Sequence, residues 1–194
     1  IIYSVKDMGA VFDAHSPEEL RDKLLAYYTV DGYSAEVTIQ GDFVKVKVDQ
    51  KDLEQSQKEF NEITMLCEKR QFKEAHSRLE QFLKKHSRHS EGYRILAQME
   101  MEAGNIDKAI DIDIEALRCD PKNAWALLLM GNLYSKYKDD YKVGRIYYDS
   151  VLKYSPDNFI AINNIAAIMM EKGDYEHAIA MFEQALKSDK KYAN

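Results

Sequence analysis

Glycine and proline are scarce in this chain: eight and three among 194 residues, roughly 6% together against a usual share of about 12%. So few helix breakers exclude collagen-like sequence, flexible linkers and turn-rich sandwiches. Cysteine is nearly absent as well. Cys67 and Cys119 cannot build a disulfide framework, and neither has paired metal ligands nearby. A reduced, cytoplasmic setting is therefore expected. No run approaches the roughly 18–20 consecutive apolar residues of a membrane-spanning helix. An excess of positive charge is missing too: 27 basic residues meet 33 acidic ones, for a net charge of −6. That balance supplies no electrostatic reason to bind nucleic acid or an anionic membrane. The chain opens on Ile1 rather than Met, and no signal-peptide pattern is visible.

The few breakers lie in register. Gly104-Asn105-Ile106-Asp107-Lys108-Ala109-Ile110 matches Gly173-Asp174-Tyr175-Glu176-His177-Ala178-Ile179. Pro121 and Pro156 each follow an amphipathic run. Small residues recur at Ala75, Ala109, Gly144 and Ala178, in steps of 34, 35 and 34. A fixed period of this size marks a repeat architecture. Each unit reads as two helices. In the last, Ile162, Ile165, Ala166 and Met169 recur at helical spacing, Gly173-Asp174 interrupts, and Ala178, Met181, Phe182 and Ala185 resume. Glycine accepts the positive φ of such a turn, and the small residue after it allows close helix approach.

The period of 34, the run Trp125-Ala126-Leu127-Leu128-Leu129-Met130-Gly131-Asn132-Leu133-Tyr134, and the Gly-Asp-Tyr…Ala…Phe…Ala sequence of the last unit resemble the tetratricopeptide repeat. The resemblance covers about residues 56–190. It implies a mainly α fold, a right-handed superhelix of antiparallel helix pairs, whose concave face usually binds a peptide or partner protein. Some members grip an acidic chaperone tail with a clamp of lysine, asparagine and arginine. The corresponding places here carry Phe60, Thr64, Ile95, Ile160 or Trp125, and Asn164 or Leu129, so that ligand is not expected.

Departures from the pattern carry expectations of their own. Arg70 stands at the first turn instead of glycine, and Glu59 and Glu62 replace apolar residues. The core of that unit should be Phe60, Ile63, Leu66, Phe72, Ala75, Leu79 and Phe82. One extra residue near Tyr137-Lys138-Asp139-Asp140 should be absorbed in the third turn. Glu100 and Asp113 occupy places where large apolar residues pack between helices. An unpaired buried carboxylate costs several kcal/mol, so each must be exposed, paired or neutralised. The sequence after Lys190 reads as the opening of another repeat, which implies a piece of a longer protein or an end covered by self-association.

Residues 1–50 form a separate small α+β domain in the order strand, helix, strand, strand; residues 51–194 hold repeats at about 56–89, 90–123, 124–158 and 159–192. Ile1 to Val5 is a short strand. Ser16-Pro17-Glu18-Glu19 starts a helix with a capping box, and Asp31-Gly32 ends it. Ala35–Ile39 and Phe43–Val48 form a hairpin around Gln40-Gly41-Asp42, with Val44, Val46 and Val48 on one face. This part is acidic, with five basic and nine acidic residues. Its strand order is that of small RNA-binding folds, but no glycine clamp or aromatic stacking motif accompanies it.

Chemistry is thinly represented. Phosphate-binding glycine loops, nucleophile elbows and zinc-protease helices are missing. His86 and His89 sit among Lys84, Lys85 and Arg88, which would repel a metal, so a solvated basic loop is expected there. Asp111, Asp113 and Glu115 point apart on a helix and make no cation loop. No cofactor and no metal are expected. The first helix of each unit should line the groove instead. Gln57, Phe60, Thr64 and Cys67 face it from the first unit, and Glu91, Arg94, Gln98 and Met101 from the second. Trp125, Leu128, Asn132 and Ser135 follow, then Ile160, Asn163, Ala167 and Met170. The partner-binding set is Arg94, Gln98, Trp125, Leu128, Asn132, Ile160 and Asn163: an arginine to fork a carboxylate, amides that donate and accept, and apolar anchors.

These observations predict a non-enzymatic scaffold that binds a protein or peptide. The alternatives are self-assembly through the solenoid end or hairpin edge, and a substrate-positioning region of a larger enzyme. A homo-oligomer would use the C-terminal repeat.

Overall fold

A computed structural model describes residues 1–29 and 34–192, with side chains through residue 188. The expected Asp31-Gly32 turn, and Ala193 and Asn194, lie outside the described residues. Two compact units emerge, residues 1–88 and 89–194.

In the first unit, β1 (Ile2–Ser4), α1 (Val5–Val11), α2 (Pro17–Thr29), β2 (Ala35–Gln40) and β3 (Phe43–Val48) follow one another. The strands pair antiparallel in the order β1-β3-β2, Tyr3 opposite Val44 and Val37 opposite Val46. Alternation along β3 buries Val44 and Val46 while Phe43, Lys45 and Lys47 face outward. Leu20 and Leu24 of α2 complete the core, with Met8 and Phe12 packed at its margin. The capping box forms: the Glu19 amide donates to Ser16 Oγ at 3.1 Å, and the Glu19 carboxylate accepts from the His15 amide at 2.8 Å. Helix α1 was not anticipated. It spans seven residues, buries none of them and contains Gly9, so no apolar period announces it.

Helices α3 (Gln50–Glu68) and α4 (Phe72–Lys85) form the first antiparallel pair. Phe60, Ile63, Ala75, Leu79 and Phe82 are buried as expected, and Leu66 half so. Phe72 is a correction: at the first turn of α4 it is 48% exposed. Glu62 meets Arg78 at 3.3 Å and Glu59 meets Lys85 at 3.4 Å, which explains acids on this pair. The basic segment 84–89 is also corrected. His86 is buried with its ring 4.4 Å from that of Phe82. Arg88 stacks 3.8 Å over Tyr27 and donates to the Tyr27 carbonyl, fastening the end of the first pair to the small α+β layer. Arginine's flat, weakly hydrated head favours such an aromatic contact over full solvation.

The second unit holds α5 (Ser90–Glu102) with α6 (Ile106–Cys119), α7 (Ala124–Asn132) with α8 (Tyr141–Tyr154), and α9 (Phe159–Glu171) with α10 (Tyr175–Tyr192). Each pair packs antiparallel, and α6 on α7 and α8 on α9 join one pair to the next. This is a mainly helical fold of the solenoid type preceded by a three-stranded sheet. Asn123 and Asn158 cap α7 and α9 by accepting from amides at 3.1 and 3.0 Å.

All four pairs turn on a left-handed residue: Arg70, Gly104, Asp139 and Gly173, with φ of 59°, 85°, 53° and 77°. In three turns the next residue donates to the carbonyl five back: Gln71 to Leu66, Asn105 to Glu100 and Asp174 to Met169. This is the Schellman closure. In the third pair Asp140 donates six back, to Tyr134. The extra residue therefore lies before the turn, inside a π-helical turn at Leu133–Tyr137 that continues α7. The expectation that the turn itself would absorb it is overturned. A widened helical turn accommodates one residue while keeping most backbone bonds.

Candidate functional site

Helices α5, α7 and α9 are the first helices of the three pairs in residues 89–194, and α5 packs on α7. Their side chains divide into engaged and available groups. On α5, Arg94 places Nε and Nη2 on Glu91 Oε1 at 3.0 and 2.7 Å, and Nη1 on Gln98 Oε1 at 2.7 Å. Gln98 in turn donates to Glu102 at 3.0 Å. Spacing of three and four residues brings these four onto one helix face. The fork expected to be free on Arg94 is thus filled by Glu91.

On α7, Trp125 is 58% exposed. Leu128, expected as an apolar anchor, is only 4% exposed and belongs to the core with Tyr148, Val151 and Ile165. Phe60 and Ser135, also placed on the groove, are buried as well. For Ser135 the cause is local: it lies in the π-helical turn, and its hydroxyl donates to the Gly131 carbonyl at 2.7 Å and meets the Tyr148 hydroxyl at 3.1 Å. Tyr148 donates to Asn132 Oδ1 at 2.8 Å, and Asn164 Nδ2 reaches the same oxygen at 3.5 Å. That leaves the Asn132 amide hydrogens without a partner among the described residues. Burial raises the Tyr148 phenol above its usual range while Ser135 opposes the shift.

Two cavities flank this region. One of about 450 Å³ is lined by Phe159, Ile160, Asn163, Phe182, Ala185 and Leu186. The other, about 300 Å³, is lined by Ser135, Tyr148, Asn164, Ala167 and Ile168 among others. Asn163 is exposed and Ile160 half-buried at the first. Sequence reasoning missed Tyr148 as the organiser of this network. The available signal was its place in the repeat, equivalent to Leu79 and Phe182.

Glu100 and Asp113 resolve differently. Glu100, although buried, accepts from Lys108 Nζ at 2.6 Å and Asn105 Nδ2 at 2.8 Å. Asp113 is fully buried, and neither carboxylate oxygen has a hydrogen-bond partner among the described residues. Desolvation pushes its pKa up to about 8, the charge of Arg94 opposing and that of Glu91 adding to it. The Asp113 carboxyl accordingly keeps its proton to higher pH than an ordinary aspartate does.

Among the described residues no group of His, Cys, Asp and Glu is arranged to hold a metal. None of the described helices is long and apolar enough to cross a membrane. His177 meets Asp174 at 2.7 Å, a bond that raises the imidazole pKa, but the pair lies fully exposed at the start of α10.

The tetratricopeptide-repeat family matches residues 66–124 and again 161–192. A curated relative, BBSome complex member BBS4 of Bos taurus, is 29% identical over 97 residues. Those cover 50% of this chain and 18% of that protein, so the chain spans under a fifth of that relative's length. Among solved structures, MamA aligns over 100% of this chain and 99% of its own, with a TM-score of 0.63 at 15% identity. PilW, described as a widely conserved type IV pilus biogenesis factor, aligns over 69% of this chain and 62% of its own, with a TM-score of 0.64 at 18% identity. At these identities the structures speak to fold alone.

Proposed function

Because the chain is a tetratricopeptide-repeat protein, a protein-interaction scaffold by family, we propose that it works without catalysis and holds an extended segment of a partner along α5, α7 and α9. The observation that carries this reading is Trp125. A largely exposed indole on a first helix is an unusual use of a residue that chains normally bury, and tryptophan is enriched among residues that dominate binding energy. Near it, Asn132 offers unengaged amide hydrogens suited to a backbone carbonyl, and Asn163 stands at the mouth of the 450 Å³ cavity. Ile160 lines the same cavity as an apolar anchor. Leu128 is removed from the proposed set by its burial. The curated relative is named as a member of a complex, which agrees with a scaffold role. A reducing, cytoplasmic setting is part of this reading.

The test is selection of peptides from a displayed library on the full chain, followed by titration against variants. Trp125→Ala is expected to weaken binding about tenfold, roughly 1.4 kcal/mol, and Asn163→Asp to alter the preferred peptide. Selected peptides that bind both variants unchanged overturn the groove assignment.

A second reading, association of copies through the last pair, is favoured by one comparison. Leu83 is 6% exposed and Leu117 and Leu152 are half-buried, whereas the equivalent Leu186 is 61% exposed beside Ile179 at 57%. If this face joins copies, Leu186→Glu lowers the mass measured by light scattering, while peptide binding by the groove persists.

A further inference from the structure

The sheet of the small α+β layer turns Val44 and Val46 toward Leu20 and Leu24 of α2, and its other face outward. Residues paired across strands share a face. The register therefore sets Ile2, Lys45 and Thr38 in one outward row, Lys47 with Glu36 in the next, and Phe43 in the row before. All six side chains are exposed. An antiparallel face left to water ordinarily carries polar residues, yet here Ile2 is 66% exposed and Phe43 62%. Together with Thr38, Gln40 and Lys45 they line a hollow of about 530 Å³. Lys45 stands between Ile2 and Thr38, so it has no acid across either strand, and among the described residues no ion pair engages it. An apolar ligand alone would cover the ammonium without pairing it. A carboxylate alone would leave Ile2 and Phe43 in water.

We propose that this face docks an amphipathic helix of a partner protein, one that carries an apolar residue and, four positions on, a carboxylate. The main chain of the occupant decides between helix and strand. β3 is the central strand, and its backbone groups are spent on β1 and β2. A strand laid across this face finds no ladder and leaves its own amides unpaired, whereas a helix has already satisfied its own. The spacings agree as well. Phe43 and Lys45 are two residues apart, about 6.8 Å along the strand, and positions four apart on a helix are separated by about 6 Å along its axis. A helix lying along β3 thus sets its apolar side chain over Phe43 and Ile2 and its carboxylate over Lys45. A polyanion or an anionic membrane fits less well. Glu36 faces Lys47 in the next row, and residues 1–50 hold nine acids against five bases. Docking on this face does not depend on the groove reading given above.

The probes are two alanine-rich peptides of about 18 residues, long enough to hold a helix in water, and identical in composition. One aligns leucine and glutamate four apart on a single face; the other sets them on opposite faces. Titrated into the labelled full chain and followed by NMR, the first is expected to shift the amides of Ile2, Thr38, Phe43 and Lys45, and the second to do so several-fold less. Lys45→Glu should weaken the first peptide about tenfold, and a peptide with lysine in place of glutamate should then bind that variant in its stead. Phe43→Ser should weaken the first peptide by a similar factor, with unchanged Val44 and Val46 resonances showing that the sheet is intact. Shifts confined to the helical pairs, equal shifts from both peptides, or no shifts at all overturn the proposal. So does a face that ignores the peptides but responds to oligothymidylate or to vesicles of phosphatidylserine and phosphatidylcholine, since it then serves nucleic acid or membrane.

Discussion

Arg70 and Asp113 each occupy an environment that their side chains disfavour. Arg70 adopts the left-handed backbone that Gly104 and Gly173 adopt in other turns, at a cost of roughly 1–2 kcal/mol for a residue with a Cβ. Arg70→Gly removes that strain but adds chain entropy to the unfolded state, so a net gain of about 0.5–1 kcal/mol is expected in urea denaturation. Asp113 makes stability depend on pH. Below its ordinary pKa of 3.8 the group is protonated both folded and unfolded, and it costs nothing electrostatically. As pH rises toward about 8 the unfolded chain ionises while the folded one keeps its proton. Stability therefore falls by about 1.4 kcal/mol per pH unit across that window and levels off above it. Asp113→Leu should raise stability at pH 7 by a few kcal/mol, with the gain shrinking toward pH 4; a pH-independent gain contradicts the assignment. The sequence shows that Asp113 is anomalous because its repeat equivalents are apolar. It does not show that Glu100 is paired and Asp113 is not, since that depends on which neighbours reach each carboxylate.

At the scale of elements, the small residues of the period, Ala75, Ala109, Gly144 and Ala178, fall on α4, α6, α8 and α10, the second helix of each pair. The third pair shows where sequence arithmetic stops. Counting reveals one surplus residue, but several places along the chain can hold it at equal count. The closure of Asp140 on Tyr134 places it in the π-helical turn, and that turn includes the buried Ser135. Gly131 is part of the same device. A Cβ there would fall 2.3–2.7 Å from ring atoms of Tyr148, a fully buried ring bonded to Asn132 and Ser135. Gly131→Ala should cost about 3 kcal/mol in thermal or chemical denaturation, and Tyr148→Leu in the same chain should recover part of it. Helix α1 and the Arg88–Tyr27 contact were illegible for another reason. One has no apolar period, and the other joins residues 61 apart in sequence.

At the scale of the molecule, groove and terminal face make opposite demands on two single substitutions. Trp125→Ala should weaken peptide binding about tenfold and leave the melting temperature nearly unchanged, because the indole is largely exposed. Leu186→Glu should leave peptide binding intact and reduce any self-association seen by light scattering.

Repeat number, helix pairing and the antiparallel hairpin of the small domain were determined by the sequence itself, because they follow from periods of 34, 3.6 and 2 that each segment carries locally. Which side chains of the first helices stay available was decided by tertiary structure. Arg94, Leu128, Asn132 and Trp125 share helix faces that look equally open along the chain. Folding fills the Arg94 fork with Glu91, sinks Leu128 into the core and ties Asn132 to Tyr148. Trp125 alone of the four is left largely exposed. The Arg94–Glu91 pair follows from a three-residue spacing within α5, but the burial of Leu128 and the Tyr148–Asn132 bond depend on neighbours brought by another helix, and spacing within one helix carries no record of them.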